Sequence, residues 1–343
     1  MTLFSGSSES QQVTVPESDG PNVLLSDLPE KFPIEEVLAA KELSLEPSCS
    51  GGANSITPET AKLKTVIYLL KQKPIPEVLL NAFCTANWQS NEKIIEALMK
   101  YAKDNTIKLE QRGIQGLVTS IHQNHVNNVK TILANSNGVL YLNSTVDNLD
   151  QTPFHHACLS ANKAIVELFL NYSKSLEIDL KKKKINNETG FQFVCESEKT
   201  ESFEVLNLLL SRAKEFNLDI NNKSPHRKYT YKGGLEVYHR SGFHMACKSI
   251  RKVEIFIQNI KKFELKVDAT GPNGDCKPLR DAIRWKDYQL AEILLKNASL
   301  LGINLKATDS KGFTYEDTAG RDPNMKALVQ SIMFAAIAKR QKV

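Results

Sequence analysis

Apolar residues recur along most of this chain in pairs of short blocks with helical spacing. The stretch 150–170, DQTPFHHACLSANKAIVELFL, shows the pattern, because Thr152 and Pro153 favour a helix start and Phe154 begins an apolar face. After a polar break, Ile165 begins a second and more apolar block. Neither short helix could bury its apolar face alone, so the pattern predicts helix pairs that stack against neighbouring pairs.

The paired blocks repeat along the chain with a period close to 37 residues. Four residues of the first block follow one another at intervals of 37: Cys84, Ile121, Cys158 and Cys195. The second block recurs with them, and seven such units span roughly residues 75–340. A fixed period of this length is typical of a solenoid, in which each unit contacts only its neighbours.

The run TPFHHAC at 152–158 resembles the ankyrin signature T-P-L-H-x-A, and the helix pairs are similar to ankyrin repeats. The resemblance implies an all-α ankyrin-repeat solenoid of stacked helix-turn-helix units with connecting β-hairpin loops. It also implies that His155 and His244 bond the hairpin backbone and the capping Thr or Ser. The units near Cys84 and Ile121 match by apolar pattern and spacing alone, so another kind of helical repeat is the alternative over 75–135.

The period exceeds the usual ankyrin period of 33 residues by about four. The excess lies after the second helix, in the similar strings LNYSKSLEIDL, LSRAKEFNLDI and LKNASLLGINL. The sequence therefore predicts an added helical turn at this place, before each hairpin.

The two ends of the chain differ from the repeats. Residues 1–56 are rich in Ser, Glu, Pro and Gly, which predicts a disordered N-terminal tail. Its apolar island at 24–43 is either part of this solvated tail or a helix that docks on the repeats or on a partner. A capping helix is expected over 57–74, because the open end of a solenoid needs one polar face. Residues 75–343 are expected to form the solenoid, which ends in a C-terminal capping helix.

One interval between units is longer than the period. Cys195 and Cys247 are 52 residues apart, and the surplus lies in the insert 223–240, KSPHRKYTYKGGLEVYHR. Its Gly233-Gly234 pair predicts the turn of a β-hairpin. Inserted hairpins are common on the binding face of a solenoid, and the alternative is a tolerated loop extension. The candidate partner-binding residues of the insert are basic or aromatic: Arg227, Lys228, Tyr229, Tyr231 and Tyr238.

A second candidate site follows from the resemblance. The residue x of T-P-L-H-x-A points toward the inner, concave surface, where this chain has Thr119, His156, Phe193, Met245, Asp281 and Thr318. Phe193 and Met245 come from consecutive units beside His156, so they predict an exposed apolar strip that binds a partner. The alternative is that the insert or the N-terminal island covers Phe193 and Met245 and makes them part of the core. Asp281 is a candidate binding residue of the same surface.

Composition and charge agree with a soluble globular protein. The chain is 41% hydrophobic and 24% charged, its net charge is +5, and it contains no apolar run long enough to span a membrane. Four of its six cysteines share one register on the first helices, so we expect them to be reduced and buried. We expect a cytoplasmic protein, with the nucleus as a second location. The run Lys181–Lys184 is a nuclear import signal, a contact for an acidic partner, or a solvated fingertip.

No residues have the spacing that catalysis or metal binding requires. The chain lacks a C-x-x-C pair, an H-E-x-x-H motif and a nucleotide-binding glycine loop, and the adjacent His155 and His156 cannot share a metal ion. We therefore expect no enzymatic activity and no cofactor. The sequence favours a monomeric, non-catalytic scaffold or adaptor that binds another protein. The alternatives are an inhibitor of a transcription factor, a ubiquitin-ligase substrate adaptor, or a nucleic-acid-binding protein that uses the basic insert.

Overall fold

A computed structural model describes residues 58–229, 235–263, 275–320 and 322–340 of the 343-residue chain. The predicted disordered tail with its apolar island, Tyr231 and the Gly233-Gly234 turn lie outside these residues. The described residues form fifteen α-helices and one two-stranded sheet. Their order is α1 (Pro58–Lys71), α2 (Pro76–Trp88), α3 (Glu92–Asp104), α4 (Glu110–His122), α5 (Val126–Asn135), α6 (Pro153–Ser160), α7 (Lys163–Tyr172), α8 (Gly190–Glu196), α9 (Ser202–Ser211), β1 (Ser224–Tyr229), β2 (Leu235–Arg240), α10 (Gly242–Ala246), α11 (Ile250–Phe263), α12 (Lys277–Trp285), α13 (Tyr288–Lys296), α14 (Tyr315–Ala319) and α15 (Pro323–Arg340).

Helices α2 to α15 form seven consecutive pairs, as the apolar pattern predicts. The second helices of neighbouring pairs pack against one another from α3 through α15, and most first helices do the same. The buried apolar side chains form one continuous cluster that runs through all the pairs. The helix predicted over 57–74 is present as α1, which packs against α3. The fold is therefore the predicted all-α stack of helix pairs.

The added turn predicted after the second helix is present in three units. After α7, α9 and α13 the chain continues through a turn that closes with a hydrogen bond across five residues, from Ile178 N to Ser173 O at 2.9 Å, from Leu218 N to Ala213 O at 2.9 Å, and from Ile303 N to Ala298 O at 2.8 Å. The residue before each closing N–H has a positive φ, as in the Schellman motif that ends many helices. This turn accounts for the long period.

Side chains of the first turn fasten the start of the first helices. The Nδ1 atom of His155 accepts a hydrogen bond from Thr152 N at 3.1 Å. In the same way, the Nδ1 atom of His244 accepts from Ser241 N at 3.3 Å. Gln192 replaces the histidine in the fourth unit, where its Oε1 atom accepts from Thr189 N at 3.1 Å. The capping role that the resemblance implied for both histidines is confirmed.

Three of the four cysteines in the shared register are buried and unpaired with another cysteine: Cys158, Cys195 and Cys247. Burial raises the pKa of these thiols well above the ordinary range. Cys84 is an exception, because it is only half-buried. It lies on the first helix of the first unit, and α1 packs on α3 rather than on that helix. The expectation of burial is therefore confirmed for three positions and wrong for Cys84.

Candidate partner-binding groove

A groove opens on the stack between α10 and α12. At the other junctions in the described chain the first helices of neighbouring units pack closely, but α10 and α12 do not. Their separation leaves a cavity of about 300 Å³. It is lined by Arg240, His244, Cys247, Lys248, Lys277, Pro278, Asp281, Ala282, Trp285, Asp287 and Leu290. We call this cavity the α10–α12 groove.

Two glycines let the first helices of the third, fourth and fifth units approach one another closely. A Cβ atom at Gly242 would lie 2.6 Å from a ring carbon of Phe191, and one at Gly190 would lie 2.9 Å from the sulfur of Cys158. Helices α8 and α10 therefore start with glycine because a side chain would collide with the preceding unit. In the sixth unit the equivalent position is Pro278; the third unit has Pro153 there and its α6 still packs closely on α4, so the residue at this position does not explain the looser packing of α12.

Trp285 is the most exposed large apolar side chain at the groove. It is the last residue of α12, and 77% of its surface is accessible to solvent. It lies four residues after Asp281 and therefore on the same face of the helix. Lys286 ends the helix in a left-handed conformation, with φ of 61°, and Asp287 then caps α13 by accepting from Leu290 N at 3.0 Å. The local structure thus holds an indole at the rim of the groove.

Basic side chains flank the groove on the α10 side. Lys248 Nζ lies 3.0 Å from the Oε1 atom of Glu196, and Arg240 reaches the same oxygen at 3.7 Å. One carboxylate is therefore shared by two cations. On the α12 side, Asp281 pairs with Arg284 at 3.3 Å. Residues 181–262, which include α10 and the hairpin, contain 17 Lys and Arg residues and nine Asp and Glu residues, although Lys182, Lys183 and Lys184 contact neighbouring fingers and Lys252 is buried.

The predicted apolar strip is not an exposed surface. Phe193 is 8% exposed and Met245 is 1% exposed, so both belong to the core. The Nζ atom of Lys184 lies 4.7 Å from the centroid of the Phe193 ring, and the His155 ring meets Phe193 edge-on at 5.6 Å. The prediction of exposure is therefore wrong for both residues. The alternative placed both residues in the core, as observed, but it gave the insert or the island as the cover, whereas Lys184 and His155 lie against the Phe193 ring.

His156 is also occupied within the stack. Its Nδ1 atom lies 3.0 Å from Nε2 of His122, and its Nε2 atom lies 3.8 Å from the carboxylate of Asp147. Burial, followed by the nearby His122, lowers the pKa of His156 to about 4, against the opposing effect of Asp147. A neutral imidazole at neutral pH lets the two rings share one hydrogen bond between the second and third units.

The other concave positions divide between the groove and the stack. Asp281 lines the α10–α12 groove. The hydroxyl of Thr119 donates to Gln115 O of its own helix at 2.9 Å. The hydroxyl of Thr318 donates to Thr314 O at 2.8 Å and accepts from Arg280 at 3.0 Å. The register rule thus located one groove residue out of six positions.

The insert forms the β-hairpin that its sequence predicts. Strands β1 and β2 pair antiparallel, with Arg227 opposite Val237 and Lys228 opposite Glu236. Tyr229 and Tyr238 also lie on the two strands. The last residue of β2 is Arg240, which lines the groove. The hairpin therefore joins the chain at the edge of the groove.

The lysine run 181–184 is largely engaged with neighbouring fingers. Lys182 donates to Asn143 O at 2.6 Å, Lys183 pairs with Asp219 at 3.6 Å, and Lys184 pairs with Glu188 at 2.8 Å. These contacts favour the interpretation of the run as a fingertip that links successive units.

Arg280 and Trp285 were not singled out from the sequence. Arg280 stands where the signature has histidine, and its guanidinium donates to Asp275 at 2.6 Å, to Ala307 O at 2.9 Å and to Thr314 O at 3.2 Å. It thus ties the sixth unit to the seventh. Trp285 was missed because only the x position was considered, although the helical period places residue 285 one turn further along the same face.

Neither metal ligation nor membrane insertion is indicated by the described part of the chain. Within it, no group of three or more His, Cys, Asp or Glu side chains is arranged to hold a metal ion. None of the helices there combines the length and the apolar character that a membrane span requires.

Comparison with known proteins matches residues 149–178 to the family model of the ankyrin repeat. Among solved structures, the chain is similar to the ankyrin repeat domain of Bcl-3, described as a unique member of the IkappaB protein family, with 15% identity, coverage of 72% of this chain and 97% of that chain, and a TM-score of 0.54. It is also similar to the ankyrin repeat domain of human ASB11, with 17% identity, coverage of 73% and 96%, and a TM-score of 0.48. A comparison with curated protein sequences finds no match. At such identities the likeness concerns the fold.

Proposed function

Because this chain contains an ankyrin repeat and folds as an all-α ankyrin-repeat solenoid, we propose that it is a non-catalytic interaction protein that binds a partner protein at the α10–α12 groove. The observation that carries the proposal is the 77% exposure of Trp285 at the rim of a groove with basic side chains. Exposing an indole costs free energy that a binding partner recovers. Trp and Arg are also the residue types that most often dominate binding energy at interfaces.

The stack supplies a rigid support for this site. The walls of the groove are two first helices, α10 and α12, and each packs against the second helix of its own unit. These second helices belong to the continuous apolar core. A surface that is already ordered loses little conformational entropy on binding. The partner surface extends from Asp281 and Trp285 to the adjoining hairpin with Arg227, Lys228, Tyr229, Tyr231 and Tyr238. Phe193 and Met245 support this surface from the core rather than contact the partner.

A pull-down with three forms of the full chain tests the proposal. Wild type, Trp285→Ala and Trp88→Ala are used as bait, and captured proteins are identified by mass spectrometry. Trp88 is the matched control, because it is 66% exposed but lies on α2 at the far end of the stack. We expect a partner that wild type and Trp88→Ala capture and that Trp285→Ala loses. A partner retained by Trp285→Ala would place the binding site elsewhere.

Residues 181–262 contain 17 basic and nine acidic residues, and this excess favours nucleic acid as a second candidate for the binding partner. Retention on a DNA column at physiological salt, lost when Arg227 and Lys228 are changed to Ala, would support it. The similarity to Bcl-3 concerns the fold alone. The roles of transcription-factor inhibitor and ubiquitin-ligase adaptor are therefore decided by the identity of the captured protein.

A further inference from the structure

Charge is distributed very unevenly along this chain. Residues 1–57 contain nine Asp and Glu residues but only two Lys residues. The remaining residues contain 42 Lys and Arg residues but only 30 Asp and Glu residues. The modest net charge of the whole protein therefore conceals an acidic leader joined to a basic repeat stack. Opposite charges of this size attract each other when they are held in one molecule.

Part of the basic excess lies at the α10–α12 groove, where Arg240, Lys248 and Lys277 belong to the lining. The stretch 181–262, which holds eight more basic than acidic residues, includes α10 and the hairpin that ends at Arg240. Two groove cations, Lys248 and Arg240, share the single carboxylate of Glu196. The lining carries three basic residues, Arg240, Lys248 and Lys277, against two acidic residues, Asp281 and Asp287, and Asp281 already pairs with Arg284. A carboxylate beside Lys248 and Arg240 would give these two cations a second acidic partner. The groove also offers apolar contacts, from Trp285, Pro278 and Leu290.

The acidic leader contains one segment that matches both properties. The island 24–43, LLSDLPEKFPIEEVLAAKEL, has apolar residues at helical spacing at Ile34, Val37 and Leu38. Glu35 and Glu36 lie between Ile34 and Val37, and further acidic residues precede and follow these apolar positions. The segment therefore combines an apolar anchor for an indole with carboxylates for the lysines and arginine of the groove.

The covalent connection is long enough for this contact. The groove lies between the fifth and sixth units, about five helix spacings from α1, which amounts to roughly 50 Å at about 10 Å per packed helix. The 20 residues from Leu38 to Pro58 can extend over about 66 Å. A flexible linker of 20 residues has an r.m.s. length of about 25 Å, so it must stretch to reach the groove, and the effective concentration there is about 0.1 mM. The contact is therefore populated if its dissociation constant lies below about 0.1 mM.

We infer that residues 24–43 of the N-terminal segment occupy the α10–α12 groove of the same molecule in the absence of a partner. The apolar residues Val37 and Leu38 cover Trp285, and the flanking carboxylates pair with Lys248, Lys277 and Arg240. A partner that binds the groove must then displace this segment. The inference rests on the proposed function, because it assigns an occupant to the same site.

Zero-length carboxyl–amine cross-linking of the full chain, read out by mass spectrometry, tests the contact. The Lys248–Glu196 pair at 3.0 Å provides the internal standard for reactivity. We expect additional cross-links from Glu30, Glu35, Glu36 or Glu42 to Lys248 or Lys277, within one molecule of a mixture of ¹⁴N- and ¹⁵N-labelled protein. Cross-links confined to lysines of the first two units, or formed only between two molecules, would overturn the inference.

Fluorescence gives an independent readout that does not depend on carboxylates. In full-length Trp88→Phe protein, Trp285 is the single tryptophan, and acrylamide quenching reports its exposure. Combining Trp88→Phe with Val37→Ser and Leu38→Ser should raise the quenching constant about twofold, because the anchor that holds the tethered segment is lost. The same serine pair in Trp285→Phe protein should leave the quenching of Trp88 unchanged. Equal quenching of Trp285 with and without the serine pair would overturn the inference.

Failure of this inference is distinguishable from failure of the proposed function. Both tests above are carried out without a partner, whereas the pull-down compares Trp285→Ala with Trp88→Ala. A groove that binds a partner but shows neither intramolecular cross-links nor shielding of Trp285 overturns the tail contact alone.

Discussion

The ammonium group of Lys252 donates a hydrogen bond to the backbone carbonyl of Val194 at 2.6 Å. The same group donates to Cys195 O at 3.1 Å and to Ser197 O, although Lys252 is only 1% exposed. These carbonyls lie at the C-terminal end of α8, where they have no partners within the helix and the helix dipole is negative. A lysine of the fifth unit therefore caps a helix of the fourth.

Replacing Lys252 by Met should destabilise the stack by about 2 kcal/mol, because buried carbonyls would lose their donor while the packing of the stem is kept. Urea denaturation measures the change. Lys248→Met is the control, since Lys248 is half-exposed and its surface ion pair should contribute less than about 1 kcal/mol. Equal stabilities of the two variants would show that the Lys252 cap is unimportant.

The burial of Lys252 and its hydrogen-bond partners could not be predicted from the sequence. The repeat period predicts a second helix in the fifth unit, and Lys252 lies in it, within α11. A lysine at the start of an apolar block does not show whether its side chain is solvated or buried. Its partners come from a unit more than 50 residues earlier. Contacts of this kind depend on how far one unit is shifted against the next, which periodicity does not specify.

The helix pairs and the added turn could be predicted, because each depends on local patterns. The three similar strings after the second helices were enough to predict the added turn, which closes at Ile178, Leu218 and Ile303. The exposed strip at Phe193 failed because Lys184 from the neighbouring finger lies over the ring. The groove could not be foreseen, since it results from the looser packing of α12 on α10.

The His155→Gln substitution should reduce the sensitivity of the fold to acid. Burial lowers the pKa of His155 to about 4, so between this value and about 6.5 the unfolded chain binds more protons than the folded one. Stability must therefore fall as the pH falls through this range, and His155 contributes about 2 kcal/mol of the loss between pH 7 and pH 5.

Gln192 makes His155→Gln a conservative change, because glutamine already occupies the equivalent position in the next unit and accepts from Thr189 N at 3.1 Å. Unfolding free energies of both forms, measured between pH 5 and pH 7, check the prediction. The slope should be smaller in the variant. The same slope in both proteins would mean that His155 does not titrate in this way.

The Gly242→Ala substitution should destabilise the protein by about 1–3 kcal/mol, because the new Cβ would lie 2.6 Å from the Phe191 ring. Thermal unfolding measures the loss. Combining Gly242→Ala with Phe191→Leu, which removes the ring, should cost less than the sum of the two single changes. Strict additivity would indicate that α8 and α10 are not in close contact.

Deleting most of the hairpin should leave the stack folded. The deletion must spare its ends, because Ser224 is buried and Gln192 donates to Ser224 at 3.2 Å and to Arg240 O at 3.1 Å. With residues 226–238 replaced by a short Gly–Ser linker, the melting temperature should fall by only a few degrees, about as expected for a change in loop length. The affinity for the captured partner should fall. A collapsed fold would show that the strands are part of the core.

The affinity of the captured partner for Trp285→Ala protein tests the central claim most directly. Isothermal titration calorimetry should show a dissociation constant raised by about 30-fold or more, equivalent to the loss of about 2 kcal/mol expected at the centre of an interface. Trp88→Ala should bind as wild type, and all three proteins should unfold at the same temperature. A dissociation constant that is unchanged by Trp285→Ala would contradict the assignment of the α10–α12 groove as the binding site.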